Sequence, residues 1–379
     1  MSYRIPLSFP VFEGNEKTYT EKAIASGNLA TYGAFINKFE HKLSKKTKTH
    51  QAVAINSGTS ALHLAMILLG IGPGDEVICQ SFTFCASANP IVYLGAKPIF
   101  VDSETDTWNI SPEILEDAIL SRIAAGKKPK AIVLVHLFGM PAKINEILNV
   151  ANKYHIPILE DAAEAVGSQY QGNACGTFGT IGIYSFNGNK IITSGGGGAI
   201  VSNNTKIIQK AAHLSTQARE DLPYYQHLEI GFNYKMNNLA AAIGLAQLEQ
   251  LDDLVSKRRK INNIYRELFS KVPGISFQDE DKLSRSNYWL TTIIIDEETT
   301  GLKNDRIRLL LLEKGIETRF LWKPLHLQPI FKDVPFYGGD FAQNMFETGL
   351  CLPSSSNLTF DQQEEIVELI EREISKTYR

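Results

Sequence analysis

One lysine, Lys190, sits in SFNGNKIITSGGGG (185–198), between a polar turn and four consecutive glycines. An amine in that setting has two uses. It stays in water as a solvated cation, or it acts as a nucleophile that a compliant backbone lets swing toward a carbonyl carbon. Three further stretches offer groups that such a nucleophile needs. NSGTSALHLA (56–65) sets Gly58, Thr59 and Ser60 at the start of an apolar helix, where free amides and hydroxyls attract an anion. ILEDAAEAVGS (158–168) places Asp161 at the carboxyl end of an apolar strand, where α/β proteins gather ligands. SFTFCASANP (81–90) brings Phe84 just past another strand. Each stretch also has a plain structural use: an N-cap for the first, a helix cap for Asp161, core packing for Phe84.

Together the four stretches meet the needs of one cofactor, pyridoxal 5′-phosphate. It takes an amine that condenses with its aldehyde, an acid that keeps its pyridine nitrogen protonated, an anion cradle and a flat wall for its ring. Lys190 supplies the amine and Asp161 the acid. Thr59, Ser60 and Ser185 supply the cradle, and Phe84 the wall. No metal is expected: Cys79, Cys85, Cys175 and Cys351 are scattered, with no CxxC pair, and read as reduced small hydrophobes of a cytoplasmic protein.

The elements that must position these residues follow from hydrophobic patterning. QAVAIN, EVICQ, KPIFVD, AIVLVHLFG and IPILED are short, near-continuously apolar runs. Each of the first four precedes a helical segment: SALHLAMILLGI, FTFCASANPIVYLG, SPEILEDAILSRI and AKINEILNVANKY. That alternation predicts an α/β fold with a mostly parallel central sheet covered by helices on both faces. NNLAAAIGLAQLEQLDDLVSKRRKINNIYRELFSKV reads as one long helical stretch without a breaker. It leads to a smaller α+β part with a strand in NYWLTTIIID and a last helix in DQQEEIVELIEREISK. The expected division is residues 1–250 for a large cofactor-binding domain and 251–379 for a small C-terminal domain. A net charge of −3 gives no electrostatic case for nucleic acid or an anionic membrane, and no apolar run is long enough to span a bilayer.

In order along the chain, NSGTSALHLAM, GDEVICQSFTFCASANPI, EDAAEAVGS, YSFNGNKIITSGGGGAI, GFNYKMNNLAAAIGLAQL and WKPLHLQPIF resemble the sugar aminotransferases of the DegT/DnrJ/EryC1/StrS family, which have the fold-type I architecture. The resemblance implies that Lys190 carries the cofactor, Asp161 contacts its pyridine nitrogen and Phe84 stacks on its ring, with Thr59, Ser60 and Ser185 at the phosphate. It also implies that Asn233, in GFNYK, reaches the phosphate of the neighbouring subunit in a homodimer with shared sites. Trp322, Lys323 and His326 of WKPLHLQPIF, with Lys235 and Arg319, are implied on the sugar-nucleotide side. The expected reaction moves an amino group from L-glutamate to a nucleotide-linked keto sugar.

The sequence departs from the family pattern at one place. Many members carry Gln or His beside the ring where this chain has Glu164, a second carboxylate that would repel the cofactor's phenolic oxygen unless protonated or hydrogen-bonded. Glu164, the glycine run and CLPSS resemble the subgroup that aminates the 4-keto carbon of UDP-linked 6-deoxy-N-acetylhexosamines. GDP- and dTDP-linked keto sugars stand as the alternatives. A sugar dehydratase on this scaffold would replace Lys190 with histidine, and a regulator would add a DNA-binding region. A generic amino-acid aminotransferase is the remaining rival.

Overall fold

A computed structural model describes residues 3–377. Eight strands form the large sheet: β1 (Gln51–Ile55), β2 (Glu76–Gln80), β3 (Lys97–Val101), β4 (Ala131–Val135), β5 (Ile158–Asp161), β6 (Ile181–Ser185), β7 (Gly198–Ser202) and β8 (Phe336–Tyr337). Their spatial order is β1-β7-β6-β5-β4-β2-β3-β8. All neighbours run parallel except β7, which is antiparallel to both β1 and β6. Every residue of β2, β4, β6 and β7 is buried. Two-sided cover is why these strands read as apolar runs rather than as alternating ones.

Helices Gly58–Leu68 and Thr205–Ser215 pack on one face, where Ile55, Leu62, Val133, Ile183 and Leu214 share a core. Helices Pro112–Ala124 and Ile144–Lys153 cover part of the other, around Ile78, Leu115, Ile132 and Ile147. β1 to β5 fall on the five apolar runs. FTFCASANPIVYLG does not make one helix: a 3₁₀ turn (Cys85–Ser87) and a short helix (Asn89–Tyr93) share it, with Pro90 near the helix start.

The long helical stretch is two helices, Asn238–Glu249 and Leu251–Phe269, broken at Gln250. No proline or glycine marks the break. Gln247 and Gln250 both donate to Glu16 Oε1, at 2.6 and 2.9 Å, so a contact with the N-terminal helix Glu16–Ala25 fixes the turn. Beyond it, Ile275–Phe277, Thr291–Ile295, Gly349–Leu352 and Arg319–Phe320 form, in that order, a four-stranded antiparallel sheet. Helices Asn304–Glu313 and Phe360–Thr377 share its core through Ile307, Leu350, Ile366 and Ile370. The chain crosses between the two parts more than once. Ile5 pairs with Ile316 and lies in the small part's core, while β8 returns to complete the large sheet. No described helix is long and apolar enough to cross a membrane.

Candidate active site

The carboxyl ends of β1, β5 and β6 open on one cavity of about 440 Å³, a size that suits a small-molecule ligand. Thr59, Phe84, Asp161, Glu164, Ser185, Lys190, Arg319 and Trp322 all line it.

One end of the cavity is built from backbone. Ser57 caps helix Gly58–Leu68, its Oγ accepting from Ser60 N at 3.0 Å. A Cβ on Gly58 would stand 2.9 Å from Ser185 Cβ, and one on Gly198 would stand 2.5 Å from Ser57 O. Only glycine at both positions lets β6, β7 and the helix N-terminus come together. Thr59 and Ser185 then offer hydroxyls that have no hydrogen-bond partner among the described residues.

Asp161 ends β5 with its carboxylate buried. Oδ2 accepts from Ser87 Oγ at 2.7 Å and Oδ1 from Ala163 N at 3.1 Å. Burial raises its pKa, and these hydrogen bonds and Lys190 offset that only in part. Glu164 follows the same physics. Burial pushes its pKa up, helped by the charge of Asp161, while Lys190 and the Phe138 amide (2.7 Å to Oε2) pull the other way. Lys190 is the cation that faces both buried carboxylates, and it does not fully offset their desolvation.

Lys190 Nζ lies 3.5 Å from Glu164 Oε1 and 3.8 Å from the centroid of the Trp289 ring. Asn287 holds the two together: its Nδ2 donates to Glu164 O and Val166 O, both at 2.9 Å, while its Oδ1 accepts from Trp289 N at 2.8 Å. Phe84 is half exposed at the opening, with its ring 5.1 Å from that of Trp322.

Behind β5 lies a fixed support. Glu160 accepts from His136 Nε2 at 2.8 Å and from the amides of Gly176, Phe178 and Gly179. Since His136 Nδ1 accepts from Ala142 N, the ring proton sits on Nε2. Burial would raise the Glu160 pKa, but these donors outweigh it and the net shift is downward.

Five residues expected from the sequence do not line this cavity. Ser60 turns its hydroxyl to Ser57, 2.8 Å away, because the cap uses it. His326 bonds Ser81 Oγ at 2.7 Å and stacks on Phe336 at 3.7 Å; burial lowers its pKa, with Asp102 opposing. Lys235 pairs with Glu40 and lines a separate groove. Asn233 pairs its backbone with Thr216 and accepts from Asn56 Nδ2. Lys323 also does not line the cavity. Sequence reading passed over Trp289, Ser87 and Ser57. Trp289 stood inside a run taken for a strand, and its one signal was Asn287, the polar residue that opens that run and that the structure buries fully.

The groups present fit pyridoxal phosphate. Thr59, Ser185 and the helix N-terminus suit its phosphate, buried Asp161 a protonated pyridine nitrogen, and Lys190 its aldehyde.

Residues 11–371 match the DegT/DnrJ/EryC1/StrS aminotransferase family. EpsN of Bacillus subtilis is 46% identical over 98% of this chain and 96% of its own length. The GDP-perosamine synthase of Escherichia coli O157:H7 is 38% identical over 97% of each chain. Among solved structures, Spr1654 of Streptococcus pneumoniae in its PLP form superposes with a TM-score of 0.89 at 27% identity, covering 99% of both chains. With that reach of likeness, the chain belongs to the DegT/DnrJ/EryC1/StrS family and is a pyridoxal phosphate-dependent sugar aminotransferase.

Proposed function

We propose that the chain transfers the amino group of L-glutamate to the 4-keto carbon of a nucleotide-linked 6-deoxy sugar, with a UDP-linked 2-acetamido-4-keto-6-deoxyhexose as the acceptor. The observation that carries the reading is the position of Lys190 Nζ, between Glu164 Oε1 at 3.5 Å and the Trp289 ring at 3.8 Å, in a cavity that Asp161 also lines. When bound, pyridoxal phosphate supplies an electron sink for the carbon that gains or loses the amine. Lys190 attaches the cofactor and then moves the proton at that carbon from Nζ. Asp161, its carboxylate fixed by Ser87 and Ala163, would hold the pyridine nitrogen protonated. Glu164, anchored through Oε2 by the Phe138 amide, keeps Oε1 toward Lys190 and holds a proton there more readily than an exposed carboxylate. Thr59 and Ser185 bind the phosphate. Phe84 walls the ring, and Trp322 and Arg319 form the acceptor side.

Each site is completed by a second copy of the chain through Asn233. That residue does not line its own chain's cavity, and it follows a segment in which Tyr225, Leu228 and Ile230 stand exposed, as apolar residues at a subunit contact do. The same reading places the dimer in the cytoplasm, with no nucleic-acid or membrane partner.

GDP-linked 4-keto-6-deoxy sugar is the second reading, favoured by three GDP-perosamine synthases at 36–38% identity. Purified enzyme with glutamate and a panel of UDP-, GDP- and dTDP-linked 4-keto sugars separates the two. The UDP-acetamido substrate is expected to give the highest kcat/KM; a GDP sugar turned over faster replaces it, and turnover of simple keto acids alone removes both.

A further inference from the structure

We infer that Arg258 is a positioning residue for Lys190, acting through Trp289 and Asn189. The inference rests on Lys190 as the lysine that attaches the cofactor. Arg258 lies on helix Leu251–Phe269 and is 1% exposed. Its guanidinium donates only to neutral groups: Nη1 to Trp289 O at 2.7 Å, Nη2 to Ser8 Oγ at 3.1 Å and Nε to Ser356 Oγ at 3.1 Å. Among the described residues no carboxylate pairs with it, and burial alone pulls its pKa down to about 9. An unpaired buried cation is a costly way to fill space that an apolar side chain would fill better.

What the guanidinium does provide is a rigid fork that joins three segments of chain. Two of its limbs end at the lysine. Trp289, whose carbonyl Arg258 holds, puts its ring 3.8 Å from Lys190 Nζ and donates Nε1–H to Asn189 O at 2.7 Å. Ser8, which accepts from Arg258, donates its own hydroxyl to the same Asn189 O at 2.7 Å. The carbonyl immediately before Lys190 therefore receives two hydrogen bonds, both from groups that Arg258 fastens. The turn that carries Lys190 runs on into the glycine-rich stretch 195–198, whose backbone has little stiffness of its own. Arg258 holds from outside what that turn cannot hold from within.

The test uses full-length cofactor-free protein reloaded with pyridoxal phosphate, comparing wild type with Arg258→Met and Ser8→Ala. Three readouts are taken: the rate at which visible absorption grows, the fraction of Lys190 labelled after borohydride, and pyridoxal phosphate affinity in a Lys190→Ala background. Arg258→Met is expected to slow the absorption change about tenfold or more, as a misplaced nucleophile does. Affinity in the Lys190→Ala background should stay within about twofold, because the cradle is untouched. Ser8→Ala, which removes one limb and guards against Arg258→Met failing to fold, should slow the same step about threefold or more. Unchanged rates in folded Arg258→Met and in Ser8→Ala overturn the inference. So does an equal loss of affinity in the Lys190→Ala background, which would place the action of Arg258 on the cradle. Wild-type label on another lysine overturns the Lys190 assignment itself, a different result from unchanged rates with the label on Lys190.

Discussion

Gly198→Ala adds one methyl group where the structure has no room for it. The new Cβ would lie 2.5 Å from Ser57 O, 2.6 Å from Ser57 C and 2.8 Å from Gly58 N, all backbone atoms. Ordinary contact begins near 3.4 Å, so β7 and the start of helix Gly58–Leu68 must part by about 0.9 Å. Overpacking of this kind costs about 1–3 kcal/mol of stability. The functional loss is expected to be larger, because the proposed phosphate ligands are Thr59, on the displaced helix, and Ser185, on β6 and paired directly with Gly198. Hydrogen bonds to a charged group contribute about 1.5–3 kcal/mol each, so losing one predicts roughly ten- to a hundredfold weaker cofactor binding. Equilibrium dialysis with pyridoxal phosphate and with pyridoxal, which lacks the phosphate, isolates the effect. Affinity for the phosphate ester should fall by that factor and affinity for pyridoxal should change little. Gly72→Ala, where an added Cβ meets nothing within 4 Å, should change neither. Unchanged phosphate-ester affinity in Gly198→Ala would refute the cradle, and an equal loss for both ligands would mean general distortion.

Asp161→Asn should reduce turnover far more than sugar binding, because the charge acts mainly in the transition state; near wild-type turnover would reduce Asp161 to a helix cap. Burial raises the Asp161 pKa, so the folded protein binds a proton that the unfolded chain releases near pH 4, and wild-type stability falls as pH rises through the raised value. In cofactor-free protein the melting temperature of Asp161→Asn relative to wild type should therefore climb from about pH 4 and then level off; a flat difference contradicts the desolvation argument. Mixing the inactive variants Lys190→Ala and Asn233→Asp should restore activity in mixed dimers, since one site collects both lesions and the other is native. No recovery on mixing, with subunit exchange verified, would mean that each chain builds its own site.

The pieces of the site that are continuous in sequence were legible there. Lys190, Asp161 and Thr59 each sit beside a pattern with local physical meaning: a glycine run, the end of an apolar strand, the start of an apolar helix. β6 and β7 were not assigned, because IGIYS and GAIVS are short and carry glycines that lower strand propensity; their burial comes from neighbours far away in sequence. The break at Gln250 was invisible for the same reason, since Glu16 imposes it from more than 230 residues away. Ser60 and His326 show the reverse case, lying outside the cavity lining. Each has suitable chemistry, but Ser60 is engaged by the Ser57 cap and His326 by Ser81 and Phe336. Trp289 was read as a strand residue because its meeting with Lys190 depends on Asn287, which ties the two parts of the molecule together.

The central claim is that Lys190 is the amine that carries the cofactor. Borohydride reduction of the cofactor-loaded enzyme, followed by peptide mass analysis, tests it directly. The account predicts a single reduced pyridoxyl adduct on Lys190, in the peptide containing SFNGNKIITSGGGG. It also predicts that the visible absorption vanishes in Lys190→Ala while phosphate-anchored binding persists. An adduct on any other lysine, or none in cofactor-saturated enzyme, would contradict it.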